Sequence, residues 1–312
     1  TFSKPASADT GQIATAPIHT SNRIPFITIH GLTPARSAYL LPQGRTEASL
    51  HANAANTSIV DGAGPRRTVI DGETHRLELD VRRGIANDWE IGVNLPVLRH
   101  SGGFLDRPIE EWHEVFGLPN GNRDRLPRNR LLFSQRGANG SGFLLDDSGG
   151  GIGDLQVSLS RQLNDGLALR NTLKLPTGDG DRLTGSGAAA LSTSLHASGR
   201  FRTRLHWHAS GGLLLSGSSD VLGKQAKSTL AFGSTTLAWE VSDALVLKAQ
   251  LDAHTAAYGG TGEPLNRATF QLSLGAAFAI ADGWALDIGF SEDIAVETAP
   301  DIGFHAGLKH RF

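Results

Sequence analysis

Several residue types and segment types are missing from this chain, and each absence excludes a class of structure. There is no cysteine among the 312 residues, which excludes disulfides, thiolate nucleophiles and cysteine-based metal sites. No run of about 18 apolar residues occurs, so a transmembrane helix is excluded. The formal net charge is only −2, so we expect no global attraction to nucleic acid.

Methionine is also absent, and the chain opens with Thr1, Phe2 and Ser3. A cleaved signal peptide would explain the missing start residue, as would trimming of the chain. We expect the former, because the rest of the sequence indicates an exported protein.

From Arg45 onward, the hydrophobic residues recur with a period of two, which is the period of a β-strand. In the clearest segment, 201–216, one face carries Phe201, Thr203, Leu205, Trp207, Ala209, Leu213 and Leu215. The other face carries Arg202, Arg204, His206, His208 and Ser210. The abundant glycine, 38 residues, disfavours long helices.

The same alternation predicts twelve strands, each with the about 9–11 residues that a tilted membrane strand needs. They lie at 44–57, 70–83, 88–99, 150–162, 166–176, 187–199, 201–216, 226–241, 244–257, 266–280, 283–294 and 302–312. A soluble sandwich or lipocalin alternates too, so periodicity alone does not decide between a soluble and a membrane protein.

The lengths of the connections favour a membrane barrel. Short turns follow every second predicted strand, at Ala86–Asp88, Asn164–Gly166, Ser198–Arg200, Ser242–Ala244 and Ala281–Gly283. Longer connections follow the other strands. Outer-membrane barrels have this asymmetry between periplasmic turns and extracellular loops.

Aromatic residues give two further signals. Trp89, Trp239 and Trp284 adjoin short turns on the apolar face, where an interfacial girdle lies. The chain ends in Phe312, which resembles the C-terminal signature by which bacterial outer-membrane proteins are recognised for assembly. We therefore predict an all-β protein: a transmembrane antiparallel up-and-down β-barrel of about twelve strands over residues 44–312, with both termini periplasmic.

Residues 1–43 form a separate predicted unit without periodicity and with five prolines. One interpretation is a loose periplasmic tail. The other is a segment folded into the lumen as a plug, which the apolar residues Ile24, Phe26, Ile27, Ile29 and Leu32 favour.

The long connection 100–149 is predicted to be extracellular and contains a helix candidate, 108–116, that ends before Gly117. Ile109, Trp112 and Phe116 share one face, which could lie on the outer leaflet, pack on the barrel rim or fold inward. A basic run follows: Arg123, Arg125, Arg128 and Arg130. It suits contact with lipopolysaccharide phosphates, or it is a solvated loop.

The strand alternation also predicts the residues that line the lumen. A basic group contains Arg170, Lys174, His196, Arg202, Arg204, His206 and His208, and a mixed group contains Glu78, Asp80, Arg82, Glu90, Asp252, Asp287 and Lys309. We expect Arg82 to face Glu90, and Asp287 to face Lys309. The basic group is either bare, giving anion preference, or neutralised by Glu110, Glu111 and Glu114 of the long loop.

Two motifs resemble known families. The run Trp112–Gly121, WHEVFGLPNG, resembles an uncharacterised family of proteobacterial outer-membrane proteins, domain of unknown function 3187. The run Leu173–Asp179, LKLPTGD, is similar to outer-membrane proteins of phenol and aromatic meta-cleavage pathways. The first resemblance carries no activity, and the second implies uptake of small hydrophobic molecules.

The function predicted from these features is an outer-membrane channel or transporter for small molecules, hydrophobic or anionic. The alternatives are an interaction barrel that binds lipopolysaccharide or a partner protein, and a lipid-modifying enzyme. No catalytic residues, cofactor or metal are expected: there is no Gly-x-Ser-x-Gly elbow, and His206 and His208 lack a third ligand. Expected partners are outer-membrane lipid, lipopolysaccharide, the barrel-assembly machinery and a small solute.

The first testable prediction concerns assembly. Deleting Phe312, or replacing it with Asp, should sharply reduce the heat-modifiable folded protein in the outer membrane, because the assembly signal is lost. Gel mobility with and without heating measures this. Normal folded yield from both variants would count against the signal.

Overall fold

Antiparallel strands make up most of the chain. The computed structural model describes residues 6–63, 66–117, 126–137, 142–294 and 298–312. Its strands are β1 (Thr46–Ala63), β2 (Arg66–Ala86), β3 (Trp89–Ser101), β4 (Leu132–Arg136), β5 (Gly142–Leu145), β6 (Gly149–Ile152), β7 (Gln156–Asn164), β8 (Leu167–Lys174), β9 (Ala190–Arg202), β10 (Leu205–Ser216), β11 (Thr229–Glu240), β12 (Leu245–His254), β13 (Thr269–Ala281), β14 (Trp284–Asp293) and β15 (Ile302–Arg311). Its α-helices are α1 (Ala6–Thr15), α2 (Pro25–Thr28), α3 (Asp106–Phe116) and α4 (Glu263–Asn266). Among the described residues, no helix is both long and apolar enough to cross a membrane.

Twelve of the strands close into a barrel. Neighbours in sequence pair with each other from β7 to β15, β3 joins β7 to β2, and β2 joins β1. The first and last strands then pair, from Glu47 opposite Arg311 to Asn56 opposite Ile302. The predicted twelve-stranded antiparallel barrel is confirmed, and closure leaves it without a free edge.

The barrel wall has apolar side chains outside and polar side chains inside. On β2, Leu77 and Leu79 are 46% and 47% exposed, whereas Glu78 and Asp80 between them are 1% and 3% exposed. A soluble barrel has the opposite arrangement, and an outward apolar belt is the pattern that lipid requires.

Aromatic residues ring the end of the barrel that carries the short turns, here called the short-turn end. Trp89 and Trp284 begin β3 and β14, and Trp239 lies near the end of β11. Phe312 is outward-facing and stacks on His310, which in turn stacks on Trp284 at 4.1 Å between ring centroids. This arrangement matches the girdle predicted from the sequence.

Two predicted connections are wrong in position. Residues 58–69, predicted as a loop, mostly continue β1 and β2, which stay paired as far as Ala63 and Arg66. This extension buries Ile59 and Ile70 beneath the loops. The turn predicted at Ser198–Arg200 lies farther along the chain, because β9 continues to Arg202 and β10 begins at Leu205.

The long connection after β3 is folded at the other end of the barrel, here called the loop end. Its β4–β5 hairpin extends the sheet from β2. Helix α3 starts at Asp106, ends before Gly117 at positive φ, and packs Ile109 against outward-facing Ile302. The predicted helix is confirmed, and at Ile109 it lies on the outer rim. The side chains of Trp112 and Phe116 lie outside the described part.

The segment before β1 runs through the barrel interior. Helix α1 packs Ile13 and Ala14 against small inward residues near the short-turn end. The chain then rises to α2 at the loop end, where Phe26 and Ile27 are buried. It descends again to Gly44, whose amide donates to Gly84 O at 2.8 Å. We call residues 6–45 the plug, 6–24 its rising limb, 25–29 its apex and 30–45 its descending limb.

Gly84 gives a prediction about how the plug leads into the wall. A Cβ atom there would lie 2.2 Å from Pro42 O, so Gly84→Val should destabilise the barrel by roughly 1–3 kcal/mol. The control is Gly11→Ala, since a Cβ at Gly11 meets nothing within 4 Å. The temperature at which folded mobility is lost on gels compares them, and an unchanged temperature for Gly84→Val would contradict the close passage.

Candidate functional site

The candidate site is the barrel lumen together with the plug that fills it. Ten of the predicted lumen residues are buried in the interior: Glu78, Asp80, Glu90, Arg170, Lys174, His196, His206, His208, Asp287 and Lys309. Arg82 and Asp252 also line interior cavities, next to the plug. The structure therefore brings twelve of the fourteen residues into one interior.

Arg202 and Arg204 do not join this group. Arg202 is the last residue of β9, Arg204 lies in the turn that follows, and both are exposed. Arg204 approaches Asp243 in the neighbouring turn at 3.7 Å. Their predicted lumen position fails because the turn lies several residues later than expected, which carries both side chains past the rim.

Two carboxylates on β2 hold the two limbs of the plug. Glu78 accepts a hydrogen bond from Arg23 Nη2 of the rising limb at 2.9 Å. Asp80 accepts one from Arg36 Nη1 of the descending limb at 3.0 Å. The two acids occupy successive inward positions of β2. This one strand therefore binds both limbs through charge-assisted hydrogen bonds.

Hydrogen bonds between the plug backbone and wall side chains fix the limbs elsewhere. On the rising limb, the amide of Gln250 donates to Ile18 O at 3.0 Å and accepts from Ile18 N at 2.9 Å. On the descending limb, Ala38 N donates to Ser198 Oγ at 2.8 Å, and Leu41 N donates to Glu90 at 3.0 Å. The irregular backbone of the plug is thus satisfied by wall side chains.

The predicted basic group is neither bare nor neutralised by the long loop. Arg170 donates to Glu90 at 2.9 Å, and Lys174 pairs with Asp154. In α3 on the outer rim, Glu110 binds Arg128 and Glu111 binds Arg107 instead. Wall carboxylates therefore neutralise the buried Arg and Lys side chains of this group.

Both expected cross-strand ion pairs form, although their strand positions are offset. Arg82 donates to Glu90 at 3.1 Å, yet Glu90 is opposite Gly84 and Arg82 is opposite Gly92. Lys309 pairs with Asp287, whose opposite residue is Gly307. Long side chains reach the diagonal neighbour on one face of a sheet.

Lys174 joins the wall, a loop and the plug. Its ammonium donates to Asp154, to Ser186 Oγ at 2.6 Å and to Ile29 O of the apex at 3.0 Å. Three acceptors match the three hydrogens of the group. Asp154 lies where the strand breaks between β6 and β7, and nothing in the sequence connected it with Lys174.

The LPTGD motif bridges the gap between β6 and β7 with hydrogen bonds. Thr177 Oγ1 donates to Gly153 O at 2.8 Å and accepts from Leu155 N at 2.9 Å. Gly178 N donates to Asp154 Oδ1 at 2.9 Å. The motif therefore replaces missing ladder hydrogen bonds and positions the partner of Lys174, which is a structural role.

An apolar core covers the apex at the loop end. Phe26 meets Phe143 and Tyr258 edge to face, and Tyr258 OH donates to Phe26 O at 2.8 Å. Burial raises the pKa of the Tyr258 hydroxyl, so it remains a donor. The core also contains residues from the loops and strand ends: Leu131, Phe133, Leu145, Leu183, Val221 and Leu265.

Three of the cavities beside the plug are small. Cavities of about 30, 10 and 40 Å³ lie between it and the wall, and a water occupies about 30 Å³ in the liquid. A vestibule of about 980 Å³ opens at the short-turn end, lined by α1, His206 and Glu240. The plug therefore packs closely against the wall at these three places.

The remaining candidates have ordinary partners. Arg130 donates to Asp71 at 2.6 Å, whereas Arg123 and Arg125 lie outside the described residues. His206 contacts Glu240 at 2.9 Å, and His208 bonds Thr15 O at 3.0 Å. In the part of the chain that is described, no three His, Asp or Glu side chains are grouped to hold a metal.

The sequence places the chain in a family. It belongs to the family described as "Protein of unknown function (DUF3187)", whose model matches residues 3–312, which confirms the resemblance drawn from Trp112–Gly121. No curated protein matches the chain.

Solved structures share the fold. The COG4313 outer membrane channel from Pseudomonas putida F1 superposes with a TM-score of 0.58 at 13% identity, covering 87% of this chain and 97% of that one. The Ralstonia pickettii toluene transporter TbuX gives 0.43 at 9% identity, covering 87% and 90%, too distant a likeness to carry an argument. The first of these likenesses indicates a barrel of the outer-membrane type.

Lys174 gives a prediction for the site. Lys174→Met should lower the free energy of unfolding by roughly 3–5 kcal/mol, because it leaves the Asp154 carboxylate buried without its cation. Arg204→Met, at an exposed position, should stay within about 0.5 kcal/mol of the wild type. Urea unfolding followed by tryptophan fluorescence compares them, and equal losses in both variants would argue against the Lys174 junction.

Proposed function

We propose that this protein is an outer-membrane channel for small molecules, and that the plug closes its lumen in the conformation described above. The loop end faces outward and both termini lie in the periplasm. Contacts with lipopolysaccharide and with the barrel-assembly machinery remain predictions, the latter resting on Phe312.

The observation that carries this proposal is the polar character of the junction between plug and wall. Glu78, Asp80, Gln250 and Ser198 bind the plug through hydrogen bonds and ion pairs, and water can replace each of these contacts. A wall of this kind can line a water-filled path once a limb moves away. A barrel that serves only as a structural scaffold has no need of a polar junction between plug and wall.

The charges also bear on the solute. When the plug moves, Arg23 and Arg36 leave with it, whereas Arg170 and Lys174 keep their wall partners. Glu78 and Asp80 also keep a cation each, Arg76 and Arg82 of the same strand. The anion preference expected from the sequence is therefore no longer supported by its four cations, Arg170, Lys174, Arg202 and Arg204. We expect small polar solutes to encounter a wall of mixed charge, in which Glu78 and Asp80 lie beside Arg76 and Arg82.

Conductance in planar bilayers tests the proposal. Replacing both Arg23 and Arg36 with Ala should raise the open time severalfold over the wild type, because each limb loses its ion pair. In an otherwise cysteine-free chain, Ala38→Cys with Ser198→Cys allows a short thiol crosslink of plug to wall, which should abolish the openings.

The matched control crosslinks two wall residues. Ser210 and Ser234 lie opposite each other on β10 and β11, with Oγ atoms 2.9 Å apart, so cysteines there should crosslink without holding the plug. If the arginine variant conducts no better than the wild type, and the plug crosslink has no more effect than this control, the channel proposal fails.

A further inference from the structure

A groove of about 420 Å³ lies along the barrel wall where β15, β1, β2 and β3 adjoin. Its floor is formed by small outward residues, Ala52 and Ala54 of β1 and Ala306 of β15. Leu77, Val97 and Phe304, each 44–46% exposed, stand along its sides. The surface here is recessed, while large apolar side chains project around it.

The groove ends at the level where the outer surface changes from apolar to polar. Along β2 the outward residue after Leu77 toward the loop end is His75, and along β3 the one after Val97 is Arg99. His75 and Arg99 are directly opposite each other, and both line the groove. On the β1 side, Ala54 belongs both to the groove and to the cluster packed around Leu105 and Ile109 near α3.

The charged end of the groove has a cation available for a ligand. His75 Nε2 contacts Glu73 at 3.0 Å, so that acid already has a partner. Arg99 is exposed, and no carboxylate among the described residues pairs with it. A guanidinium at the edge of an apolar belt, next to an apolar recess, is complementary to an anionic headgroup with an acyl chain.

We propose that this groove binds one membrane lipid, with an acyl chain along Ala52, Ala54 and Ala306 and the headgroup phosphate on Arg99. An empty recess in the belt would forfeit dispersion contacts that a chain restores. The site requires that the barrel spans a bilayer, not that it conducts.

Native mass spectrometry of the full protein in detergent tests the site, with dioleoyl phosphatidylglycerol as the probe. Dioleoyl phosphatidylcholine and dioleoylglycerol separate headgroup charge from chain binding. The wild type should retain one phosphatidylglycerol. Arg99→Ala should weaken its retention roughly tenfold, the effect of losing a charge-assisted hydrogen bond, and should lower binding of dioleoylglycerol little.

Filling the recess should act differently. Ala54→Phe should abolish retention of all three probes, and Ala306→Phe serves as a second variant if the first folds poorly. The controls are Ala249→Phe, an outward exposed alanine on β12, and Arg267→Ala, an exposed arginine at the loop end. Heat-modifiable mobility confirms that each variant is folded.

The outcomes separate cleanly. Retention lost on filling the groove and weakened for phosphatidylglycerol by Arg99→Ala, with both controls intact, supports the lipid site. Absence of a retained lipid in the wild type, or equal losses in the control variants, overturns it. Because lipid retention is measured without current, its failure is distinguishable from a failure of the channel proposal.

Discussion

The structure depends on the need to pair charges that the barrel turns inward. An outward face suited to lipid forces the polar face into the lumen, where a protein plug displaces most of the water. Each buried charge there is costly unless it is paired. Glu78 and Asp80 on β2 meet this requirement through Arg23 and Arg36, one from each limb, together with Arg76 and Arg82 of their own strand. The contacts of Arg23 and Arg36 therefore help to satisfy the wall and also position the plug.

The plug is held by two kinds of junction with different physical character. Along its limbs most contacts are polar and water can replace them, and only a small apolar cluster around Ile13 and Ala14 adds to them. Separation of a limb therefore exposes less apolar surface than release of the apex. At its apex, Phe26 and Ile27 belong to an apolar core with the loops, and exposing that core would cost about 25 cal/mol for each Å² of apolar area. Movement of a limb is thus cheaper than release of the apex. Lys174 ties the apex to the wall through Ile29 O.

The arrangement of side chains on the outer surface also follows from the medium that each level of the barrel contacts. Large apolar side chains project into the belt, aromatic rings gather at the short-turn end, and polar residues begin where the belt ends near His75 and Arg99. Helix α3 lies against that upper boundary rather than in the lumen, so its glutamates neutralise loop arginines. Charges on the outer surface pair with each other, and charges in the lumen do the same. Arg170 and Lys174 therefore pair with Glu90 and Asp154 and not with the glutamates of the long loop.

The sequence by itself determined the features that local alternation sets: the strand count, the inward and outward faces, most short turns and the tryptophan girdle, because side-chain period and turn chemistry are properties of neighbouring residues. It did not determine where β9 ends, because a shift of a turn by a few residues leaves the period unchanged. Alternation alone therefore predicts an inward position for Arg202 and Arg204, which lie at the rim. Arg82 and Glu90 are offset by two positions along the ladder, and alternation carries no signal for the exact register. Only the tertiary structure decided the place of the plug, because its contacts join residues such as Ile18 and Gln250, 232 positions apart, and an irregular segment has no period from which such partners could be read.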